Sequence, residues 1–254
     1  MMNNKILQDG LLKISEVCSA KSVYPLQRLI YNLTKKYLVK HNLSSPINKL
    51  LKIPFDKDIS TAEWGKLCDR INFSEEFKNF SNSDDIKNTF RKILNCRNPV
   101  RDPVCRFRAK VPGPNLCNIG WHQDMGVVYG HRNLKLSQRL PIAIWISLNG
   151  ASKDDSIELL KKSHLGKLKI HKEVDGIGNF SANFEKEINN YKKIKIETKS
   201  CGGVAFHPLT VHRTIPGESN IPRYSIDIRY YDPNVIPSFK VDFEFKFKRY
   251  KNII

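Results

Sequence analysis

Apolar positions along the chain follow two different periods, and the change between them falls near residue 100. In the first part Leu26, Leu29, Ile30, Leu33 and Tyr37 share one face at helical spacing, which predicts an amphipathic helix opened near Pro25. Ser60 and Glu63 have capping-box spacing ahead of Trp64 and Leu67, and Ser83 or Asp84 is placed to cap a helix through Ile86, Phe90 and Leu94. Residues 1–100 therefore read as a mostly helical support that carries no motif with chemistry in it.

From Val104 onward, short apolar runs are broken by Pro, Gly and Asn, which marks an antiparallel β architecture. The expected strands are 104–111, 118–123, 141–148, 156–160, 194–199, 203–207 and 222–231. Phe239, Val241, Phe243, Phe245 and Phe247 alternate with polar residues and predict one more half-buried strand. The polar stretch 165–192 lacks a period and reads as an insertion of the kind that forms lids or binding loops. The fold class is thus mainly β with a helical N-terminal part. One domain is expected over 1–254, with helical support at 1–100, a β core at 104–232 and a C-terminal strand extension at 233–254.

Composition narrows this picture only slightly. A chain of 254 residues with 40% hydrophobic content is long and apolar enough to bury a full core. The formal charge of +18 suits an anionic partner, but the lysines are scattered through the chain, which reads as solvated surface and makes a nucleic-acid footprint the weaker reading. Six cysteines form no C-x-x-C pair, and the N-terminus shows no secretory pattern, so buried thiols in a reduced cytoplasmic setting are the expectation. No apolar run reaches the ~18 residues of a membrane span.

Chemistry concentrates in two places. Gly120-Trp121-His122-Gln123-Asp124 closes an expected strand, and residues two apart on a strand point the same way, so His122 and Asp124 can face one point in space. An imidazole and a carboxylate suit a borderline metal such as iron(II), and one further histidine completes a 2-His-1-carboxylate triad with positions open for dioxygen. Downstream, Gly202-Gly203-Val204-Ala205-Phe206-His207-Pro208-Leu209-Thr210-Val211-His212 offers two histidines, His207 and His212, and spacing alone leaves the choice open. Arg223 opens the next apolar strand, and its planar fork suits a carboxylate. A lone H-x-D or a lone strand histidine is more often structural than functional; the ordered set is what carries weight.

These residues resemble the phytanoyl-CoA dioxygenase family of iron(II)/2-oxoglutarate oxygenases over roughly residues 104–232. The likeness lies in Trp121-His122-Gln123-Asp124, in Leu140-Pro141-Ile142-Ala143-Ile144-Trp145, in Lys162-Ser163-His164, and in Phe206-His207-Pro208-Leu209 through His212 to Arg223. The resemblance implies a double-stranded β-helix, a cupin-like jelly roll flanked by helices. It implies His122, Asp124 and His212 as metal ligands, with His207 either structural or a support behind the ligands, and Arg223 on the distal carboxylate of 2-oxoglutarate. Thr214 matches a hydroxyl that helps hold that carboxylate, and Trp145 a tryptophan lining the cosubstrate pocket. Iron(II), 2-oxoglutarate and dioxygen, with ascorbate as a stimulant, are the implied requirements. Hydroxylation of a small molecule, with release of succinate and carbon dioxide, is the implied reaction. Because Asp124 keeps its carboxylate, no halide position is opened.

The chain departs from the family pattern where Asp155-Ser156-Ile157-Glu158-Leu159 and Lys161-Lys162-Ser163-His164 replace segments that usually carry turn glycines. Arg106, Arg108 and Lys110 alternate on one strand face, and either reach the cosubstrate or an anionic substrate or form a solvated face. Two rival readings are a cupin-fold metalloprotein of isomerase or hydrolase type, which has no need of Arg223, and a basic binding module with an idle site. The identity of the primary substrate and the oligomeric state are not encoded in any motif here.

Overall fold

The computed structural model describes residues 2–40, 61–110, 119–129, 139–166, 168–169, 172–174, 177–179, 187–216 and 222–235. The strand expected at 239–247, together with Ser60 of the expected capping box, lies outside the described residues. A short helix, α1 (Asn4–Asp9), ends at Gly10, whose φ is 81°. Glycine is needed here for two reasons: the backbone is left-handed, and a Cβ would come within 2.5 Å of His164 Nδ1. The reversal sends β1 (Leu11–Ile14) back along the sheet, where it pairs with β9 (Gly203–Phe206). This strand was missed in the helical reading of the N-terminal part, because four residues carry too little alternation to be recognised.

Next come α2 (Ala20–Lys40), α3 (Thr61–Asn72), α4 (Glu75–Ser81) and α5 (Asp84–Leu94). Helix α2 opens at Ala20, ahead of the expected start at Pro25. Ser19 supplies the cap: its Oγ accepts from Ser22 N at 3.3 Å, while its own N and Oγ donate to Asp85 Oδ2 at 2.9 and 2.7 Å. Pro25 lies on the exposed side within the helix, where it removes one backbone donor.

The remaining strands are β2 (Val100–Arg101), β3 (Arg106–Lys110), β4 (Ile142–Ser147), β5 (Ile157–Leu160), β6 (Lys172–Val174), β7 (Ile177–Asn179), β8 (Lys193–Lys195), β10 (His212–Thr214) and β11 (Arg223–Tyr231). With β1 and β9, four of them build a six-stranded antiparallel sheet ordered β1-β9-β4-β11-β2, with β3 also on β11; a second sheet runs β10-β5-β8, and β6 pairs with β7 inside the polar insertion. All pairings are antiparallel. The two sheets form a jelly-roll core that is not a closed barrel.

Both faces of the large sheet are buried, which explains why its strands read as apolar runs. On one face Ile142, Ile144 and Ile146 of β4 and Tyr224, Ile226, Ile228 and Tyr230 of β11 join the core built by the helices. Phe90 stacks on Tyr230 at 4.4 Å, Tyr230 Oη donates to Ser81 O at 2.8 Å, and Trp64 Nε1 donates to Ala109 O at 3.2 Å. On the other face Ala143, Trp145, Val204 and Phe206 meet Ile157 and Leu159 of the small sheet. Cys18, Cys68, Cys96, Cys105 and Cys201 are free thiols, most of them buried, while Cys117 lies outside the described residues.

The strand expected over 118–123 does not form. Residues 119–121 are irregular, and His122 makes only an isolated antiparallel bridge to His212. The ladder cannot continue because the chain passes directly into a π-helical turn (Met125–Tyr129), where Met125 N donates to Pro208 O and Gly126 N to Gln123 O, each at 3.0 Å.

The register of β4 against β9 depends on Gly203, since a Cβ there would lie 2.0 Å from Trp145 O. Gly203→Ala should therefore destabilise the fold by roughly 3 kcal/mol, seen as a lower urea midpoint at unchanged slope; an unchanged midpoint would contradict this register.

Candidate metal centre

His122 and His212 are held side by side by their own backbones. His122 N donates to His212 O at 2.8 Å, and His212 N donates to His122 O at 2.9 Å, which leaves the ring centroids 4.0 Å apart. Each Nδ1 faces a carbonyl, Gly120 O for His122 and Thr210 O for His212, both at 2.9 Å. A carbonyl can only accept, so the proton sits on Nδ1 and each Nε2 keeps its lone pair. Both Nε2 atoms point toward Asp124 Oδ1, at 3.9 Å from His122 and 3.7 Å from His212. One donor atom from each of the three residues lies within 4.8 Å of the other two. The two residues of the H-x-D face one point through this bridge and the turn that follows it, and not through strand alternation.

Electrostatics prepare the donors. Burial pushes the His122 imidazole well below its ordinary pKa, and neighbouring His212 adds to the effect. Burial likewise lowers His212, against the pull of Asp124. Burial works to raise the Asp124 carboxyl, but the Arg229 guanidinium and the two histidines outweigh it and hold the pKa at about 2. At neutral pH the cluster is two neutral imidazoles and a carboxylate, the protonation state a divalent metal requires. Asp124 Oδ1 makes no hydrogen bond among the described residues although it is buried.

His207 lies outside this group. Its ring centroid is 5.2 Å from that of His164, and its Nδ1 accepts from Leu209 N at 3.2 Å. Of the two downstream histidines, the fold brings only His212 to His122 and Asp124.

Arg108, Trp145, Thr214 and Arg223 line the same recess as His122, Asp124 and His212. Arg223 is 2% exposed, and its guanidinium carbon lies 5.2 Å from the centre of the Trp145 ring. Trp145 Nε1 is buried and makes no hydrogen bond among the described residues, so the recess holds a donor as well as a cation. The three alternating basic residues of β3 separate. Arg106 is exposed, Arg108 reaches Asp227 Oδ2 at 2.6 Å, and Lys110 is buried against Asp155 at 3.1 Å and Ile215 O at 2.8 Å.

The segment 161–164 turns without a glycine. Lys162 takes the left-handed conformation at φ 66°, which disfavours an ordinary side chain by about 1 kcal/mol. Ser163 Oγ donates to Leu160 O at 2.7 Å and accepts from Val211 N at 2.9 Å, while His164 Nε2 contacts Leu7 O at 2.9 Å. Ser163 and His164 thus brace the segment that delivers His212.

Two site residues were missed from the sequence, Asp227 and Arg229. Both line the recess, and Arg229 donates from Nε and Nη2 to Asp124 Oδ2 at 2.8 and 2.7 Å. Their signal was available: Arg223, Ser225, Asp227 and Arg229 alternate along a strand whose other face is apolar.

No family model matches the chain, and no curated protein matches it. Among solved structures it is similar in fold to the epimerase SnoN in complex with Fe3+, alpha ketoglutarate and a nogalamycin, at 14% identity over 90% of this chain and 81% of that one, with a TM-score of 0.56. AviO1 from Streptomyces viridochromogenes matches at 15% identity over 92% of this chain and 95% of that one, with a TM-score of 0.59. The non-heme alpha ketoglutarate dependent carbocyclase SnoK matches at 15% identity over 90% and 82%, with a TM-score of 0.57. No described helix is long and apolar enough to cross a membrane.

The buried histidines also set an acid limit on stability. Unfolded, each titrates near its ordinary 6.5; folded, His122 and His212 titrate lower, and burial with the nearby His164 takes His207 to about 3. The unfolded chain then binds more protons, so stability is complete above pH 6.5 and falls as pH drops below it. Urea midpoints of metal-free protein should fall steadily from about pH 7 to about pH 5, and a flat profile would show that these imidazoles are solvated.

Proposed function

We propose that the chain is an iron(II)- and 2-oxoglutarate-dependent oxygenase of the phytanoyl-CoA dioxygenase type. The observation that carries the reading is Asp124 Oδ1, a buried carboxylate oxygen that makes no hydrogen bond among the described residues and faces two lone-pair nitrogens. Such a donor set fits a divalent iron. His122, Asp124 and His212 would hold the metal, and Arg223, with Thr214 and Trp145 beside it in the recess, would take the distal carboxylate of 2-oxoglutarate. Bound iron with 2-oxoglutarate and dioxygen supplies an oxidising centre at the cost of decarboxylating the cosubstrate to succinate.

The chain's own residues orient and shield. The Nδ1 to carbonyl contacts fix both imidazole planes, and Phe206, with its ring centroid 4.5 Å from that of His212, closes the apolar side of the site. Gln123 Nε2 donates to Leu209 O at 2.8 Å, and its Oε1 accepts from Lys169 N at 2.7 Å, which ties the ligand turn to the start of the insertion that would cover the substrate. Hydroxylation of a small molecule is the outcome we favour. Epimerisation or ring closure is the second reading, favoured by the similarity in fold to SnoN and SnoK. Ascorbate would sustain turnover by keeping the iron reduced.

Purified protein supplied with iron(II), ascorbate and oxygen should convert 2-oxoglutarate to succinate, and Asp124→Ala should lose both this conversion and anaerobic iron binding. Failure of the wild-type chain to bind iron and to release succinate with any substrate would sink the reading. Arg223→Ala should keep iron binding but weaken 2-oxoglutarate by about 2 kcal/mol, roughly 30-fold in KM. An unchanged KM in that variant would point to cupin chemistry without the cosubstrate.

A further inference from the structure

Arg229 is a buried cation that the reading above places on neither metal nor cosubstrate. Its Nε and Nη2 both donate to the same oxygen, Asp124 Oδ2, at 2.8 and 2.7 Å, while Nη1 donates to Val104 O at 3.0 Å. The guanidinium is therefore anchored at its far end, and its backbone oxygen accepts from Asp102 N at 2.8 Å. Two donors converging on Oδ2 leave Oδ1 as the oxygen that faces His122 Nε2 and His212 Nε2.

We propose that Arg229 is a positioning residue that holds Asp124 as a single-oxygen ligand. The proposal rests on the reading that this site holds iron. A carboxylate can bind a metal through one oxygen or through both. A second coordinated oxygen would fill a position that cosubstrate or dioxygen needs. Charge-assisted bonds from a rigid fork compete for that oxygen, and the fork is set by β11, the strand that also carries Arg223. One strand thereby fixes both how the ligand carboxylate is presented and where the cosubstrate carboxylate would be gripped. Partners behind a metal ligand commonly govern affinity in this way.

The test titrates metal-free protein with Co2+ under nitrogen, reading affinity and the visible absorption spectrum, for wild type, Arg229→Lys, Arg229→Gln and Arg229→Met, with folding checked by circular dichroism. Arg229→Met should bind Co2+ about 10- to 100-fold more weakly and show a changed band pattern as the second oxygen joins the metal. Arg229→Lys, which keeps the cation but offers no planar fork, should fall between. If Arg229→Met does not fold, the Lys and Gln variants carry the comparison. Folded variants with wild-type affinity and a wild-type spectrum overturn the proposal and leave the metal site intact. A wild-type chain that binds no Co2+ removes the metal reading itself.

Discussion

A carboxylate and a guanidinium each only 2% exposed, Asp124 and Arg229, meet in the middle of the structure. Taking each ion out of water costs several kcal/mol, a cost recovered only with good geometry, and breaking such a pair costs about 3–5 kcal/mol. Here two donors on one oxygen provide that geometry and pin the turn after His122 onto β11. The remaining features follow from this attachment. With the turn fixed, the bridge between His122 and His212 sets the distance between the imidazoles, and β11 sets the depth of Arg223 beneath Trp145.

Strand β11 can carry Arg223, Ser225, Asp227 and Arg229 on one face because its other face is secured. Tyr224, Ile226, Ile228 and Tyr230 pack under the helices, and each fully buried apolar side chain contributes about 2 kcal/mol. The N-terminal helices cover the apolar face of the sheet and so let its inner face be polar. Trp145 and Phe206 separate that polar end from the apolar cluster between the sheets.

Four arginines line the recess, Arg108, Arg213, Arg223 and Arg229, and three of them meet a carboxylate. Arg108 meets Asp227, Lys110 meets Asp155, Arg213 meets Glu158, and Arg229 meets Asp124. Proteins of similar fold include an epimerase and a carbocyclase.

Much of the architecture was legible in the chain. Helical spacing in the first part, short apolar runs after Val104 and the order H-x-D, His, Arg are local patterns, and the helices of 61–94, strands β3, β4, β5, β9 and β11 and the grouping of recess residues agree with them. What the pattern missed depended on distant partners. Strand β1 exists because β9 offers it a free edge, α2 begins where Asp85 secures Ser19, and the expected strand before Asp124 is reduced to one bridge because Pro208 O draws the chain into a turn. The sequence by itself determined which donors are available: two histidines in alternative positions, one carboxylate and a strand of alternating charge. Only the tertiary structure decided that His212 meets His122 while His207 packs on His164, and that Arg229 claims one oxygen of Asp124. The physical reason is that a local pattern specifies the direction of a side chain along its own element, whereas the partner it meets is set by distant chain segments, packed under the shared requirement that no buried charge be left uncompensated.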